Sequence, residues 1–292
     1  MALSNFGGIR RALGHASFRT YIIGHFVSLI GTWVHRVAVG WLAWELTHSA
    51  GWVGAIAFAD LFPTALFGPI AGAVVDRVPP LKMARVTQTL ALIQAVALAA
   101  LVAAGAMTIW LLFGLSLALG IIIAIHHPVR LTLTYRLVAR ENLAPATGLA
   151  AMTYNLARFI GPAIAGLVIA WWDVAAAFAL NAITYAIFLY SLIRVELYDK
   201  TPPVGGGGNI LGDIRKGFLY AARHPGIGPI FVLLILTALF TRPYAELLPA
   251  FAGQIFGRGA TALAWMTAAA GLGAIFASFW LAWRARIEGL TG

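Results

Sequence analysis

The stretch of sequence that decides the fold is Val53–Val75, VGAIAFADLFPTALFGPIAGAVV, which is followed directly by Asp76 and Arg77. It contains a single ionisable side chain, Asp60. A bilayer core about 30 Å thick is crossed by roughly 20 apolar residues that each rise about 1.5 Å in a helix. We therefore predict a membrane-spanning helix here, because backbone groups inside a bilayer must bond to one another.

The same pattern recurs along the chain. The protein has 292 residues, of which 61% are hydrophobic and 10% charged, and a soluble domain of this length has too much surface to cover with so apolar a composition. A cleaved signal peptide is the alternative for the first stretch, but that stretch exceeds the short apolar core of such signals. We predict an all-α, polytopic membrane helix bundle of about eight spans, which are Thr20–Leu46, Val53–Val75, Val86–Ala104, Thr108–Pro128, Leu143–Trp171, Val174–Ile193, Ile227–Pro249 and Ala260–Trp283.

Most of the positive charges fall in connections on one side of the predicted spans. All but four of the 20 Lys and Arg residues lie in connections on that side; Arg258 lies on the other, and Arg36, Arg158 and Arg242 lie within spans. Cytoplasmic loops carry such an excess, so we expect a multi-pass protein of the inner (cytoplasmic) membrane with both chain ends in the cytoplasm. The membrane topology therefore accounts for the net charge of +10, without binding to nucleic acid.

A long connection divides the chain. It contains Thr201-Pro-Pro and the run Gly205 to Gly208, which is typical of a flexible boundary, and no Gly-Lys-Ser/Thr follows that would make a phosphate-binding loop. We predict a six-helix amino-terminal bundle over 1–193 and the first two helices of a second bundle over 227–292. Between them, 194–226 is predicted to be a cytoplasmic linker with either a membrane-surface helix or a plain solvated one.

The turn after the second span carries Gly72-x-x-x-Asp76-Arg77, followed by Lys82 and Arg85. Glycine lets a neighbouring helix approach closely, and an aspartate beside several cations forms a compact charge network. A plain basic turn is the alternative. The pattern resembles the loop between the second and third helices of the major facilitator superfamily, although Pro79-Pro80 replaces the usual glycine and arginine. The resemblance implies that Gly72, Asp76, Arg77, Lys82 and Arg85 form a latch between conformations.

The fifth span contains Arg158-Phe-Ile-Gly161-Pro162-Ala-Ile-Ala-Gly166. Taken alone, this is a packing kink stabilised by neighbouring helices, but it resembles the fifth-helix motif of the superfamily's exporters. The first span and Leu247-Leu-Pro-Ala-Phe-Ala resemble the enterobactin-exporter-like branch. This resemblance implies proton-coupled export of a small organic solute such as a siderophore or drug.

Two features depart from the family pattern. The fourth predicted span, Thr108–Pro128, lacks the arginine that is usual in the family's fourth helix. The family has two six-helix bundles, whereas eight spans are predicted here. The chain is therefore expected to be either a fragment of a longer transporter, missing the rest of the carboxyl-terminal bundle, or an unusual short form.

Ionisable residues inside spans are costly, so they usually face a bundle interior and have partners. Arg36 and Asp60 are expected at the same depth in adjacent helices and are predicted to pair, either as part of a cavity or as a packing ion pair. The cavity or coupling candidates are Arg36, Asp60, His127, Arg242 and Glu246, with His25, Ser28 and Thr32 on the same stripe as Arg36. The excess of cations favours an anionic or polar solute, and Asp60 or Glu246 is a candidate proton carrier.

No pattern indicates an enzyme, a cofactor or a metal. The chain has no cysteine, and the adjacent His126 and His127 point about 100° apart on a helix, so they cannot chelate one ion together. The preferred interpretation is a secondary transporter whose partners are a small molecule and the lipid bilayer. The alternatives are a transport-incompetent fragment that self-associates or assembles with another chain, and an importer of lysophospholipid or another solute.

Overall fold

The computed structural model describes residues 3–75, 77–198, 212, 219–220, 223–224, 226–240, 247–256 and the isolated positions 262–263, 265–266, 269 and 273. Within these ranges the regular structure is helical, which confirms the predicted all-α class. The helices are α1 (Leu3–Gly14), α2 (Ala16–Thr47), α3 (Ala50–Val75), α4 (Pro80–Ala103), α5 (Ile109–Arg136), a 3-10 turn (Arg140–Asn142), α6 (Leu143–Trp171), α7 (Val174–Arg194), α8 (Ile227–Phe240) and α9 (Leu248–Ala250), which continues into a π-helical turn (Phe251–Ile255).

Helices α2 to α7 provide six candidate membrane spans, by length and composition. They coincide with the first six predicted spans, so the prediction of a polytopic membrane bundle is confirmed for this part of the chain. The seventh predicted span contains α8 and α9, and positions 241–246 between them lie outside the described residues. Most of the eighth predicted span also lies outside them.

Successive spans are antiparallel, as contacts at the two ends of the bundle show. At one end Arg85 Nε, near the start of α4, donates to the carbonyl of Leu192 at the end of α7 at 3.0 Å. At the same end the Tyr198 amide donates to the carbonyl of Arg136, the last residue of α5, at 2.9 Å. We call this the basic end. At the opposite end, here the far end, the rings of Trp52 and Trp110 at the starts of α3 and α5 lie 4.8 Å apart.

Helix α2 occupies the centre of the bundle, where it packs against α7 on one side and α6 on the other. The remaining close pairs are α3 with α5, α4 with α7 and α4 with α5. Helices α3 and α5 touch through their backbones at Gly120, where an added Cβ would lie 2.6 Å from the Asp60 carbonyl oxygen and 2.8 Å from that of Ala59. Small residues allow this kind of approach in membrane bundles.

Helix α5 differs from the sequence prediction, because it continues beyond the expected end at Pro128 to Arg136. Proline lacks an N–H donor and so interrupts one backbone hydrogen bond, but it does not end the helix. Beyond it the Thr132 and Thr134 hydroxyls donate to the carbonyls of Pro128 and Arg130 at 3.2 and 3.1 Å. The fourth span is therefore longer than hydropathy indicated and includes Arg130.

Candidate functional site

A cavity of about 800 Å³ lies among α2 to α7, in the half of the bundle nearest the basic end. All six spans line it. Most of the lining surface is aliphatic or aromatic, and most of its polar groups are hydroxyl, amide and phenol groups. The basic or titratable nitrogen groups in the lining are those of His25, Arg36, His126, His127 and Arg130.

The charged side chains of the described cavity lining are all positive. Among the described residues that line it there is no aspartate or glutamate. The Arg130 guanidinium lies 3.5 Å from His127 Nε2 and has its Cζ 5.8 Å from the ring centroid of Tyr154. Both contacts are to uncharged or basic groups, so its positive charge is not neutralised by a carboxylate of the described lining.

The predicted polar stripe of the first span faces this cavity. His25, Ser28, Thr32 and Arg36 all line it, as residues spaced by three or four positions on one helix face should. The Thr32 hydroxyl donates to the Ser28 carbonyl at 2.9 Å and lies 3.3 Å from the Tyr185 hydroxyl of α7. The stripe therefore joins α2 to α7 along the cavity wall.

Arg36 and Asp60 form the predicted ion pair. Arg36 Nη2 donates to Asp60 Oδ2 at 3.2 Å, and the two side chains are 22% and 17% exposed. Arg36 lines the large cavity, whereas Asp60 does not. The pair therefore lies at the inner limit of the cavity, between α2 and α3.

The fifth-helix motif packs against Trp33 of α2. Arg36 and Arg158 place their Cζ atoms 5.3 and 5.7 Å from the centroid of the Trp33 ring, which is the distance range of cation–π contacts. A Cβ on Gly161 would overlap the Trp33 side chain. Gly161 is therefore the residue that lets α6 approach α2, while Pro162 and Gly166 are buried in the same helix.

The residues of the predicted latch loop are only partly described. Gly72 is half-buried in α3, Arg77 and Lys82 are exposed, and Asp76 lies outside the described residues. Arg85 donates to the carbonyls of both Leu192 and Ile193, at 3.0 and 3.4 Å. Arg85 thus joins α4 to the end of α7 within the bundle, and the latch role stays a prediction.

The two adjacent histidines face different partners, in agreement with their helical spacing. His126 Nδ1 lies 2.8 Å from the Thr87 hydroxyl of α4, whereas His127 lies beside Arg130. Among the residues that the structure describes, no group of three or more His, Asp or Glu side chains is placed to hold a metal ion. The candidates Arg242 and Glu246 lie outside those residues.

Several lining residues were not among the predicted cavity candidates. The predicted fourth span ends at Pro128 and so leaves Arg130 in a connection, and the sequence prediction does not include His126, Thr87 or Gln88. The spacing of four between His126 and Arg130 would have placed both on one face of a longer helix. The contributions of α4 depend on how six helices pack, which one sequence does not specify.

A bundle of antiparallel membrane helices around a cavity lined in part by polar side chains is typical of membrane transporters. The chain belongs to the major facilitator superfamily, in the transmembrane secretion effector family, whose model matches residues 11–289. This is a family of transporters and not of enzymes, and the resemblance inferred from the sequence is confirmed.

Curated relatives agree with this assignment. The chain is 28% identical over 222 residues to the enterobactin exporter EntS of Shigella boydii, covering 75% of this chain and 52% of that protein. It is 24% identical over 232 residues to the staphyloferrin A transporter of Staphylococcus aureus, with 79% and 58% covered. It is also 24% identical over 231 residues to the macrolide efflux protein A of Streptococcus pyogenes, with 78% and 56% covered. The chain thus spans a little over half the length of these relatives.

Proposed function

We propose that the protein moves a small organic solute out of the cell by alternating access, using the gradient of protons. The observation that carries this proposal is the cavity of about 800 Å³ inside the bundle, a volume typical of sites for drug-sized molecules, which are about 300–1,000 Å³. Export is the favoured direction because two of the relatives are named as an exporter and an efflux protein.

The charge of the cavity supports an anionic or polar solute. Arg130 has a histidine and a phenol as its cavity partners, and Arg36 adds a second guanidinium at the inner limit. A guanidinium presents several N–H donors in a plane that fits a carboxylate or phosphate. An anion in this cavity gains an ionic partner, whereas a lipophilic cation is repelled.

The division of the chain supports an arrangement in two bundles. In this proposal residues 1–193 form the amino-terminal bundle, 194–226 link the bundles on the cytoplasmic side, and 227–292 begin the second bundle. The basic end then faces the cytoplasm, where the family latch of Gly72, Asp76, Arg77, Lys82 and Arg85 meets the second bundle. Arg242 and Glu246 belong to the part of the cavity that the second bundle supplies.

The test is transport by the full chain in liposomes with an imposed pH gradient. The probes are enterobactin, staphyloferrin A and a macrolide, which the names of the relatives suggest. We expect uptake of at least one probe, and a loss of at least tenfold for an anionic probe in Arg130→Gln. Arg140→Gln is the matched control, because Arg140 is exposed at the same end and does not line the cavity. No uptake of any probe would favour the alternative of an assembly partner.

The preference for anions has its own test. Tetraphenylborate and tetraphenylphosphonium have nearly the same size and shape but opposite charge, so competition by the two compares charge alone. We expect the borate to inhibit uptake more strongly, and the difference to shrink in Arg130→Gln. Stronger inhibition by the phosphonium ion would contradict an anion-selective cavity.

A further inference from the structure

A second, smaller cavity lies on the far side of the Arg36–Asp60 pair. This chamber has a volume of about 30 Å³. Its α2 lining begins at His35 and continues one turn beyond Arg36, and its α3 lining runs from Val53 up to Asp60. Since α2 runs toward the far end and α3 runs away from it, the chamber extends from the ion pair toward the far end of the bundle. Arg36 lines both cavities.

Two buried polar side chains in this chamber lack a hydrogen-bond partner. His35 of α2 and Ser116 of α5 both line it, and they are only 3% and 2% exposed. His35 Nδ1 and Ser116 Oγ have no hydrogen-bond partner in the described structure. A buried polar group that makes no hydrogen bond is destabilising, so two such groups on one small cavity point to a site for a polar ligand.

The chamber has the size and polarity that a water molecule requires. A buried water needs roughly 10–15 Å³ of accessible volume and two to four polar partners, and this chamber offers His35, Ser116, Asp60 and Arg36. A metal cation is disfavoured because the Arg36 guanidinium lies on the same wall. The other helix packed on His35, α7, contributes Phe178 with ring centroids 5.4 Å apart. Arg36 and Asp60 are the charged side chains among the described residues that line the chamber.

We propose that this chamber is a water site through which a proton reaches Asp60 from the far side of the membrane, with His35 and Ser116 as positioning residues for the water. A hydronium that gives its proton to an Asp60 carboxylate oxygen leaves a neutral water and a neutral carboxylic acid. The ionic contact between Arg36 and Asp60 then weakens, and the Arg36 guanidinium, which lines the large cavity, attracts an anion there more strongly. This inference rests on the proposed function, since it assigns the coupling site of that transport.

The water itself is tested without transport, by hydroxyl-radical labelling of the purified full chain with X-ray pulses. Radicals form where water is, so a buried side chain beside a bound water is oxidised. We expect oxidation of His35 at least fivefold above that of Phe178, which is also buried and does not line the chamber. Ala57→Leu, which fills the chamber from α3, should abolish that difference. Equal, low labelling of His35 and Phe178 in the unaltered protein would overturn the water site.

The role of the water is tested by comparing two modes of enterobactin uptake in liposomes. Uptake driven by a pH gradient requires protons, whereas counterflow exchange of enterobactin does not. We expect Ser116→Ala and His35→Phe to lower gradient-driven uptake at least tenfold with counterflow changed less than twofold, and Ser116→Thr to restore it. Equal losses in both modes would mean a packing role and overturn the relay. If the unaltered protein shows no counterflow of enterobactin, staphyloferrin A or the macrolide, the proposed function and the relay both fail, and the labelling result alone decides the water site.

Discussion

Arg36 and Asp60 join α2 to α3 through a 3.2 Å contact between Nη2 and Oδ2, and this contact separates a large cavity at the basic end from a small one toward the far end. Because the pair lies where the two cavities meet, a change in the charge of either side chain alters the electrostatic environment of both cavities. The pair is therefore the first target for mutation.

Removal of one partner of this pair should destabilise the protein more than removal of both. A buried charge without its partner is costly, and residues in contact show coupling energies of about 0.5–3 kcal/mol. We expect Arg36→Ala and Asp60→Ala each to lower the unfolding temperature in detergent, and the double variant to be less destabilised than either single variant. Thermal unfolding followed by tryptophan fluorescence measures all three.

Arg158→Ala combined with Asp60→Ala is the matched control for this cycle. Arg158 contacts the same Trp33 ring as Arg36, whereas the ion pair that the described structure shows at Asp60 is formed by Arg36. Its effects should add to those of Asp60→Ala within about 0.5 kcal/mol. Additive effects for Arg36 and Asp60 as well would mean that their contact contributes no measurable stability.

The sequence was sufficient to predict the six spans of α2 to α7 and the central ion pair. Hydropathy places a helix from length and composition alone, because a bilayer imposes both. The pairing of Arg36 with Asp60 followed from their equal depth in adjacent antiparallel helices. Each of these predictions concerns either a single helix or two helices that follow one another in the chain. A linear sequence contains the information for both.

The lining of the cavity was less predictable. The predicted fourth span ends at Pro128 and so leaves Arg130 in a connection, although the helix continues to Arg136. Thr87 and Gln88 of α4 face the cavity because α4 packs between α5 and α7. Such relationships between distant helices follow from packing of the whole bundle, and no periodicity of a single segment specifies them.

Two glycines of α5 should respond to alanine in opposite directions. A Cβ at Gly120 would meet the backbone oxygens of Ala59 and Asp60, which have no room to move, whereas Gly114 has no neighbour within 4 Å. We expect Gly120→Ala to destabilise the protein by about 1–3 kcal/mol, as overpacking does. Gly114→Ala should stabilise it by about 0.5–1 kcal/mol through reduced freedom of the unfolded chain.

Thermal unfolding in detergent measures both glycine variants, and far-ultraviolet circular dichroism checks that each variant keeps its helix content. Gly148→Ala is a second control in another helix, because Gly148 of α6 also has open space around it. A Gly120→Ala protein as stable as Gly114→Ala would mean that α3 and α5 are not in backbone contact at this crossing.

Arg85 should stabilise the bundle, whereas Lys82 should not. Both cations belong to the predicted latch, but Arg85 donates to two carbonyls at the end of α7 and Lys82 is exposed. A cation at a helix carboxyl end contributes about 0.3–1 kcal/mol through the helix dipole and hydrogen bonds. We expect Arg85→Ala to lower the unfolding temperature by a few degrees and Lys82→Ala to leave it within one degree.

The same two variants separate the latch from simple packing when transport is also measured. A latch residue changes the rate of transport even when stability is retained, so Lys82→Ala should alter gradient-driven uptake of enterobactin without a change in unfolding temperature. Uptake and stability both unchanged in Lys82→Ala would remove Lys82 from the latch and leave Arg85 as a residue that joins α4 to α7.

The orientation of the bundle can be measured directly, because the chain contains no cysteine and any cysteine introduced is the one labelled. Arg140 is exposed at the basic end and Ala106 is exposed in the short connection at the far end. The excess of positive charge predicts a cytoplasmic basic end. In intact cells, a membrane-impermeant maleimide should therefore label Ala106→Cys at once and Arg140→Cys only after the cells are permeabilised. The substitution of Arg140 removes one of many basic residues at its end, so it should leave the orientation unchanged. Labelling of Arg140→Cys in intact cells, with Ala106→Cys protected, would invert the topology and with it the side from which the large cavity is loaded.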